Sequence, residues 1–297
     1  MTLAQLRYFR VLAHTLHYTR AAEELHIAQP SLSYSISELE KELGVKLFEK
    51  ANRKIALTMY GDYFLPYVEN ALSTLSDGTE ALKQLAGTSY QIVRLGYLHS
   101  ISASLIPQLI KELYAQEKNA KLRFQFTEAG SLDIFNRLKR GELDLGFCMH
   151  RDETIESVPI LRQQLYLIVS RSHPLAERSS VTLDDFRDEP IVLLDKNSSL
   201  YGDVEAMYRR HDARPNMMFV VRECNAALQY VALNFCVSIL PQVPAMDSED
   251  VVMLPITEDD VTFSRVVYFS WFKNRPLSPA ARRMRDYIIE QHALSEE

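Results

Sequence analysis

Along residues 3–43 apolar side chains recur at intervals of three and four, so three short helices are expected. The first carries Leu6, Phe9, Leu12, Ala13 and Leu16 on one face. The second begins around Tyr18-Thr19-Arg20, where the Thr19 hydroxyl suits an N-cap, and presents Ala21, Ala22 and Leu25 on a narrow face that lets another helix come close. His26-Ile27-Ala28 reads as a short turn. Gln29-Pro30-Ser31 opens the third helix, with Pro30 in a first turn that has no use for its missing N–H. Leu32, Ile36, Leu39 and Leu43 then form one stripe, and Gly44 suits a left-handed cap. Two extended pieces over 45–50 and 55–58 flank the polar tip Ala51-Asn52-Arg53-Lys54, the pattern of a β-hairpin wing. Residues 1–58 therefore read as a winged helix-turn-helix, an all-α core with a β-wing.

Residues 59–86 are expected to form one long helix. Leu65, Val68, Leu72, Leu75, Thr79, Leu82 and Ala86 alternate by three and four, a coiled-coil seam that calls for a partner helix from a second copy of the chain. Packing of the same face onto the helix's own domain is the alternative. From residue 91 the pattern changes. Strands are expected over 92–98, 122–127, 143–149, 165–170, 191–194, 218–221, 237–240 and 266–271, and helices over 103–116, 134–139, 226–233 and 279–293. This alternation points to parallel sheets covered by helices, as one doubly wound domain or two smaller lobes. Ligands in such sheets sit outside the carboxyl ends of the strands.

A chain of 297 residues has room for about two domains. The formal net charge is −6, so no basic balance advertises a nucleic-acid partner. The charge is uneven, however: +2 over residues 1–58 and −8 over the rest, a mildly basic head on an acidic body. Three cysteines, Cys148, Cys224 and Cys236, are too few and odd in number for a disulfide framework, and fit a reducing compartment. The stretch MTLAQLRYFRVLAHTL has no uninterrupted apolar core behind a basic tip, and no segment approaches the ~20 apolar residues of a membrane span. A cytoplasmic location is expected.

The head contains, in order, Leu6-Arg7-Tyr8-Phe9, Thr19-Arg20-Ala21-Ala22-Glu23-Glu24-Leu25, Ala28-Gln29-Pro30-Ser31-Leu32-Ser33, Ile36-Ser37-Glu38-Leu39-Glu40, Leu43-Gly44-Val45-Lys46-Leu47-Phe48-Glu49 and Leu57-Thr58-Met59-Tyr60-Gly61. In these runs it resembles the LysR-type transcriptional regulators. The body is similar more loosely, at Leu95-Gly96-Tyr97, Gly141–Phe147, Ser172-His173-Pro174-Leu175-Ala176 and Val237-Ser238-Ile239-Leu240-Pro241. The resemblance implies a DNA-binding domain over 1–58, a linker and dimerisation helix over 59–87 and an effector-binding domain over 88–297. That last domain would be two Rossmann-like lobes resembling a periplasmic binding protein, one of 91–163 with 268–297, the other of 164–267. It also implies double-stranded DNA, a small-molecule effector in the cleft between lobes, a homotetramer built on linker-helix dimers, and RNA polymerase as partners.

Opposite the apolar stripe of the third helix lie Pro30, Tyr34, Ser37 and Lys41, flanked by Gln29 and Ser33. The resemblance places Gln29, Pro30, Ser31 and Ser33 against DNA. A glutamine amide pairs bidentately with adenine, and hydroxyls reach phosphates or base edges. Tyr34 departs from the basic or amide residue usual in the family. Thr19 and Arg20 would meet the backbone, and Arg53 and Lys54 at the wing tip phosphates or the minor groove. In the body, strand ends supply N–H groups and hydroxyls suited to a carboxylate or another small polar group. Ser100, Ile101 and Ser102 follow the first strand, Ser131 the next, and Phe147 and Met149 would wall the pocket. Asn197 and Ser198 would close it from the second lobe, with Asn225 at the crossover. Asn234-Phe235-Cys236 departs from the small residues usual there, and Phe235 is expected to narrow the cleft or displace its loop.

His99, Cys148 and His150 all follow strands that should border the cleft, a soft-metal or thiol-sensor arrangement on paper, but Cys-x-His is a sparse pattern and an apolar-strand cysteine reads as core. No metal, cofactor or catalytic residue is assigned, since G-x-S-x-G, the P-loop and H-E-x-x-H patterns are all missing. The sequence thus reads as an effector-responsive DNA-binding regulator and not an enzyme. The competing reading is a small-molecule binding protein or enzyme whose N-terminal helices serve only assembly.

Overall fold

The computed structural model describes residues 1–51, 54–85, 91–246, 249–258 and 261–294. The chain divides into two compact units, Met1–Ser89 with Lys139–Glu142, and Tyr90–Leu138 with Leu143–Glu297.

The first unit holds α1 (Leu3–Thr15), α2 (Tyr18–Glu24), α3 (Gln29–Leu43), a hairpin of β1 (Phe48–Ala51) and β2 (Lys54–Leu57), and α4 (Met59–Leu85). Helix α1 starts in a capping box: the Gln5 N–H donates to Thr2 Oγ1 while the Thr2 N–H donates to Gln5 Oε1. Phe9, Leu12, Ala21, Leu32, Ile36 and Leu39 are buried together, so the three apolar faces read from the sequence meet in one core. Leu16 does not join them; it is the left-handed C-cap of α1 and is 41% exposed. The N-cap of α2 is His17, whose Nδ1 accepts from the Arg20 N–H, so Thr19 lies inside the helix and not at its cap. Gly44 takes the expected left-handed cap of α3 at φ +71°.

Buried Glu40 on α3 fixes where the wing departs. Its Oε1 accepts from the Leu47 and Phe48 N–H groups at 2.9 and 3.2 Å, and Lys46 Nζ donates to Oε2 at 2.6 Å. Glu40→Ala would leave two buried N–H donors without an acceptor. It is expected to destabilise the N-terminal unit by about 2–4 kcal/mol, seen as an earlier first transition in urea unfolding, whereas Glu40→Gln should recover part of the loss.

The seam along α4 is used in two ways. Val68 and Leu72 are buried in the core of their own unit, with Leu65 packed against it, as the own-domain alternative requires. Leu75 and Leu82 are 55% and 68% exposed. Ala86 lies outside the described residues.

The second unit is built on β3 (Gln91–Tyr97), α5 (Leu105–Tyr114), β4 (Leu122–Glu128), α6 (Ser131–Arg140), β5 (Leu145–Cys148), β6 (Ile155–Ser170), α7 (Leu183–Phe186), β7 (Pro190–Leu194), α8 (Ser199–Arg210), β8 (Asn216–Val221), α9 (Cys224–Ala232), β9 (Ser238–Pro241), β10 (Val251–Pro255), the short pair β11 (Thr257–Glu258) and β12 (Val261–Thr262), β13 (Ser264–Phe272) and α10 (Pro279–His292). Pairing is parallel for β3 with β4 and β5, and for β7 with β8. It is antiparallel where β6 meets β13, β9 and β10. The sheets are therefore mixed and not wholly parallel as the alternation led us to expect, because β13 and β10 return directly onto the long strand β6.

Strand β6 organises this unit. Its first half pairs with β13, with a register slip next to Pro159, and its second half pairs with β9 and β10. Two apolar clusters result. One spans Val93 to Ile160 and takes Val267, Phe269, Trp271 and α10; the other runs from Leu165 to Ile256. The connecting strands β6 and β13 pass between them.

Candidate functional site

On the head, the row opposite the buried stripe of α3 is open. Gln29, Pro30, Ser31, Ser33, Tyr34 and Ser37 are exposed, Tyr34 at 69%. Among the described residues, no polar side-chain atom of this row is committed to an intramolecular hydrogen bond, so an external partner meets free donors and acceptors. Thr19 and Arg20 on α2 are exposed as well. Arg53 lies outside the described residues; Lys54 begins β2, and its side chain lies outside them.

In the second unit a cavity of 1270 Å³ opens at strand ends and helix starts. Of the residues expected there, Ser100, Ser131, Met149, Asn197 and Ser198 line it. Ile101 and Phe147 do not: both are fully buried in an apolar cluster, Ile101 from the turn after β3 and Phe147 on β5 against Phe269 at 4.9 Å between ring centroids. Ser102 donates to the His99 carbonyl instead, and Asn225 is exposed outside the cavity. Phe235 does not narrow the cavity either; it is 53% exposed beyond the left-handed Asn234 that ends the α9 turn.

Ser131 borders the cavity with its hydroxyl already engaged. Oγ accepts from the Met149 and His150 N–H groups at 2.7 and 3.1 Å and lies 2.9 Å from His150 Nδ1. The pair has the spacing of a nucleophile and its base. Yet Ser131 is fully buried and its lone pairs serve two amides, so its role is to brace the loop after β5.

The residue that sequence reasoning missed is Arg265, at the start of β13. Burial of its side chain follows from β6–β13 pairing, which sets it opposite Gln163. Its Nε donates to Gln163 Oε1 at 3.2 Å, one terminal nitrogen donates to Ser100 Oγ at 3.2 Å and the other to Ser199 Oγ at 3.4 Å. Ser199 in turn donates to Met149 Sδ at 3.0 Å. The nearest acid, Asp203, stands 3.9 Å away. Burial lowers the Arg265 pKa and raises that of Asp203. A charged residue beside buried Gln163, in an otherwise apolar strand, was the available signal.

His99, Cys148 and His150 do not converge on a metal. His99 Nδ1 pairs with Glu128 at 2.6 Å, His150 with Ser131, and the Cys148 thiol donates to the His150 carbonyl and Ser270 Oγ. Among the described residues no group of three or more His, Cys, Asp or Glu is placed to hold a metal ion. Burial pushes the Cys148, Cys224 and Cys236 thiols up to about 11 each. At pH 7 only roughly one thiol in ten thousand is then ionised. A thiol-reactive disulfide dye is expected to find no fast-reacting cysteine in the folded protein and three after denaturation; rapid reaction of the folded protein would show the burial to be wrong.

Among the described residues no helix is long and apolar enough to cross a membrane. The family described as "Bacterial regulatory helix-turn-helix protein, lysR family" matches residues 3–62, and that described as "LysR substrate binding domain" matches residues 87–293. The HTH-type transcriptional regulator YybE of Bacillus subtilis is 34% identical over 291 residues, 97% of this chain and 98% of the relative. CbnR, a LysR family transcriptional regulator of known structure, aligns with a TM-score of 0.68 at 23% identity over 99% of this chain and all of its own. The effector binding domain of QuiR, solved in complex with shikimate, aligns with a TM-score of 0.64 at 25% identity, over 69% of this chain and 98% of its own.

Proposed function

Because this chain belongs to the LysR family of transcriptional regulators, we propose that α3 enters the major groove of an operator and that a small effector in the body's cavity governs the outcome. Gln29, Pro30, Ser31, Ser33, Tyr34 and Ser37 would face base edges and phosphates, Thr19 and Arg20 the backbone, and Arg53 and Lys54 the flanking groove. The observation that carries this reading is the uncommitted polar row on α3, held outward by a stripe whose Leu32, Ile36 and Leu39 are almost wholly buried. The functional divisions are 1–58 for DNA, 59–87 for pairing and 88–297 for the effector. The two lobes of the last part are 91–163 with 268–297, and 164–267. The effector meets Ser100, Met149, Asn197 and Ser198, with Arg265 beneath them. Paired linker helices give a dimer, and effector domains join dimers into a tetramer that contacts RNA polymerase. The protein works in the cytoplasm and carries no catalytic step of its own.

The test is a footprint. On a DNA fragment that the full-length protein selects, a small-metabolite extract of the source cells should change the protected region, since effector binding shifts the balance between lobe arrangements. A region protected identically with and without extract would count against effector control, and the lack of any protected region against the regulator reading.

A further inference from the structure

We propose that Arg265 is the anion anchor of the cavity, and that the effector is a small organic carboxylate whose carboxylate group docks on this guanidinium between Ser100 and Ser199. The proposal rests on the reading of the cavity as the effector site. Arg265 is a buried cation, its side chain 9% exposed, at the base of a cavity that it helps to line. A guanidinium has five N–H donors in a planar fork. Three are committed here, to Gln163, Ser100 and Ser199, and all three acceptors are neutral. They satisfy hydrogen bonds without cancelling charge.

The resident counter-charge is poorly placed. Asp203 lies 3.9 Å from the guanidinium, beyond hydrogen-bond distance, and its Oδ2 is buried without any hydrogen-bond partner. A desolvated cation left in this condition is costly, and an arriving carboxylate supplies what is missing: a full negative charge and two acceptors that match the fork. The helix start beside it has the same preference. Ser198 caps the twelve-residue α8, and Ser199, Tyr201 and Gly202 of its first turns line the cavity.

The remaining lining narrows the ligand class. Three other cations, Arg151, Lys196 and Arg222, reach the cavity wall, but all three are exposed, so water already solvates their charge, as it does not for Arg265. Asp133, Asp195 and Asp203 also line the wall and oppose a doubly charged phosphate more than a singly charged carboxylate. Leu98, Met149 and Leu194 beside Asn136 and Asn197 offer a mixed surface for the body of the ligand. Since Ser100 and Ser199 belong to different lobes, a ligand taken up by Arg265 acts on the bridge between them.

The experiment measures thermal stabilisation and calorimetric affinity of the full-length protein with acetate, benzoate, shikimate and succinate. The corresponding uncharged amides and inorganic phosphate serve as controls. At least one carboxylate should stabilise the wild type where its amide does not. Arg265→Gln should weaken that carboxylate by about 10- to 100-fold, with Arg265→Lys between the two. Asp203→Asn, an independent check should Arg265→Gln fail to fold, should bind the same carboxylate about threefold more tightly or better. The proposal is overturned if no carboxylate stabilises the wild type, if phosphate stabilises it as well as the carboxylates do, if Arg265→Gln keeps wild-type affinity, or if Asp203→Asn fails to bind more tightly. A preparation whose footprint still responds to cell extract in any of these cases leaves the regulator reading intact and removes only the anchor; one that protects no DNA removes the regulator reading itself.

Discussion

Replacing Gln29 and Ser33 together by alanine is expected to weaken selective operator binding by about 100-fold while leaving the fold intact. A bidentate amide-to-base contact is worth about 1–3 kcal/mol, and a hydroxyl contact adds roughly another 1 kcal/mol. Both side chains are exposed on α3 and contribute nothing to the core of Phe9, Leu12, Leu32, Ile36 and Leu39, so thermal unfolding should not move. Non-selective binding, which rests on phosphate contacts, should fall far less. Fluorescence anisotropy on a selected operator and on a scrambled duplex separates the two terms. Equal affinity of the double variant and the wild type for the operator would remove α3 as the reading helix.

Leu75→Asp with Leu82→Asp is expected to have the largest effect on assembly. The two leucines continue the seam of α4 beyond the part that Val68 and Leu72 bury within their own unit, and they stand open in the single chain. In a two-fold pair of helices, four leucines would leave contact, costing on the order of 6 kcal/mol or more. The dissociation constant of the dimer then rises by about four orders of magnitude. Sedimentation velocity should show the shift to smaller species at micromolar concentration. Operator affinity should fall with it, since each head then binds its half-site alone. A variant that sediments like the wild type would mean that the open half of α4 has another use.

Periodicity made the head legible because each of its helices buries one face on its neighbours: Ala21 and Ala22 allow the close approach, and Leu32, Ile36 and Leu39 fill the space it leaves. Thr19 has the residue type of a cap, but His17, a less usual one, takes that place and accepts the Arg20 N–H. In the body, local pattern sufficed for β3, β4 and α10. It failed for the first half of β6, where Glu156, Pro159, Arg162, Gln163 and Gln164 hide a strand whose partner, β13, lies about a hundred residues further on. Helix α8 is hard to read locally: Leu200, Val204, Met207 and Tyr208 have helical spacing, but Gly202 and Asp203 in its first turns mask the signal. The cavity lining is legible in part. Ser100, Met149, Asn197 and Ser198 follow from the rule that ligands gather at strand ends. Arg265 needs the knowledge that β13 lies against Gln163, and Ile101 and Phe147 fail because their side chains turn into the core.

The cavity and the exposed polar row of α3 lie in different units, so on the proposed function an effector held in one unit acts on a helix of the other. The two halves of α4 have distinct duties, the first holding the head together and the second available to a partner helix. Both duties serve the selective recognition of DNA.

That recognition is measured by selection of sheared genomic DNA with the purified full-length protein, followed by sequencing. Recovery of a few sites that share an interrupted inverted repeat is expected, as a two-fold pair of heads requires, and their loss when Gln29 and Ser33 are both alanine. Recovery of no selective site at moderate salt, with or without cell extract, would contradict it.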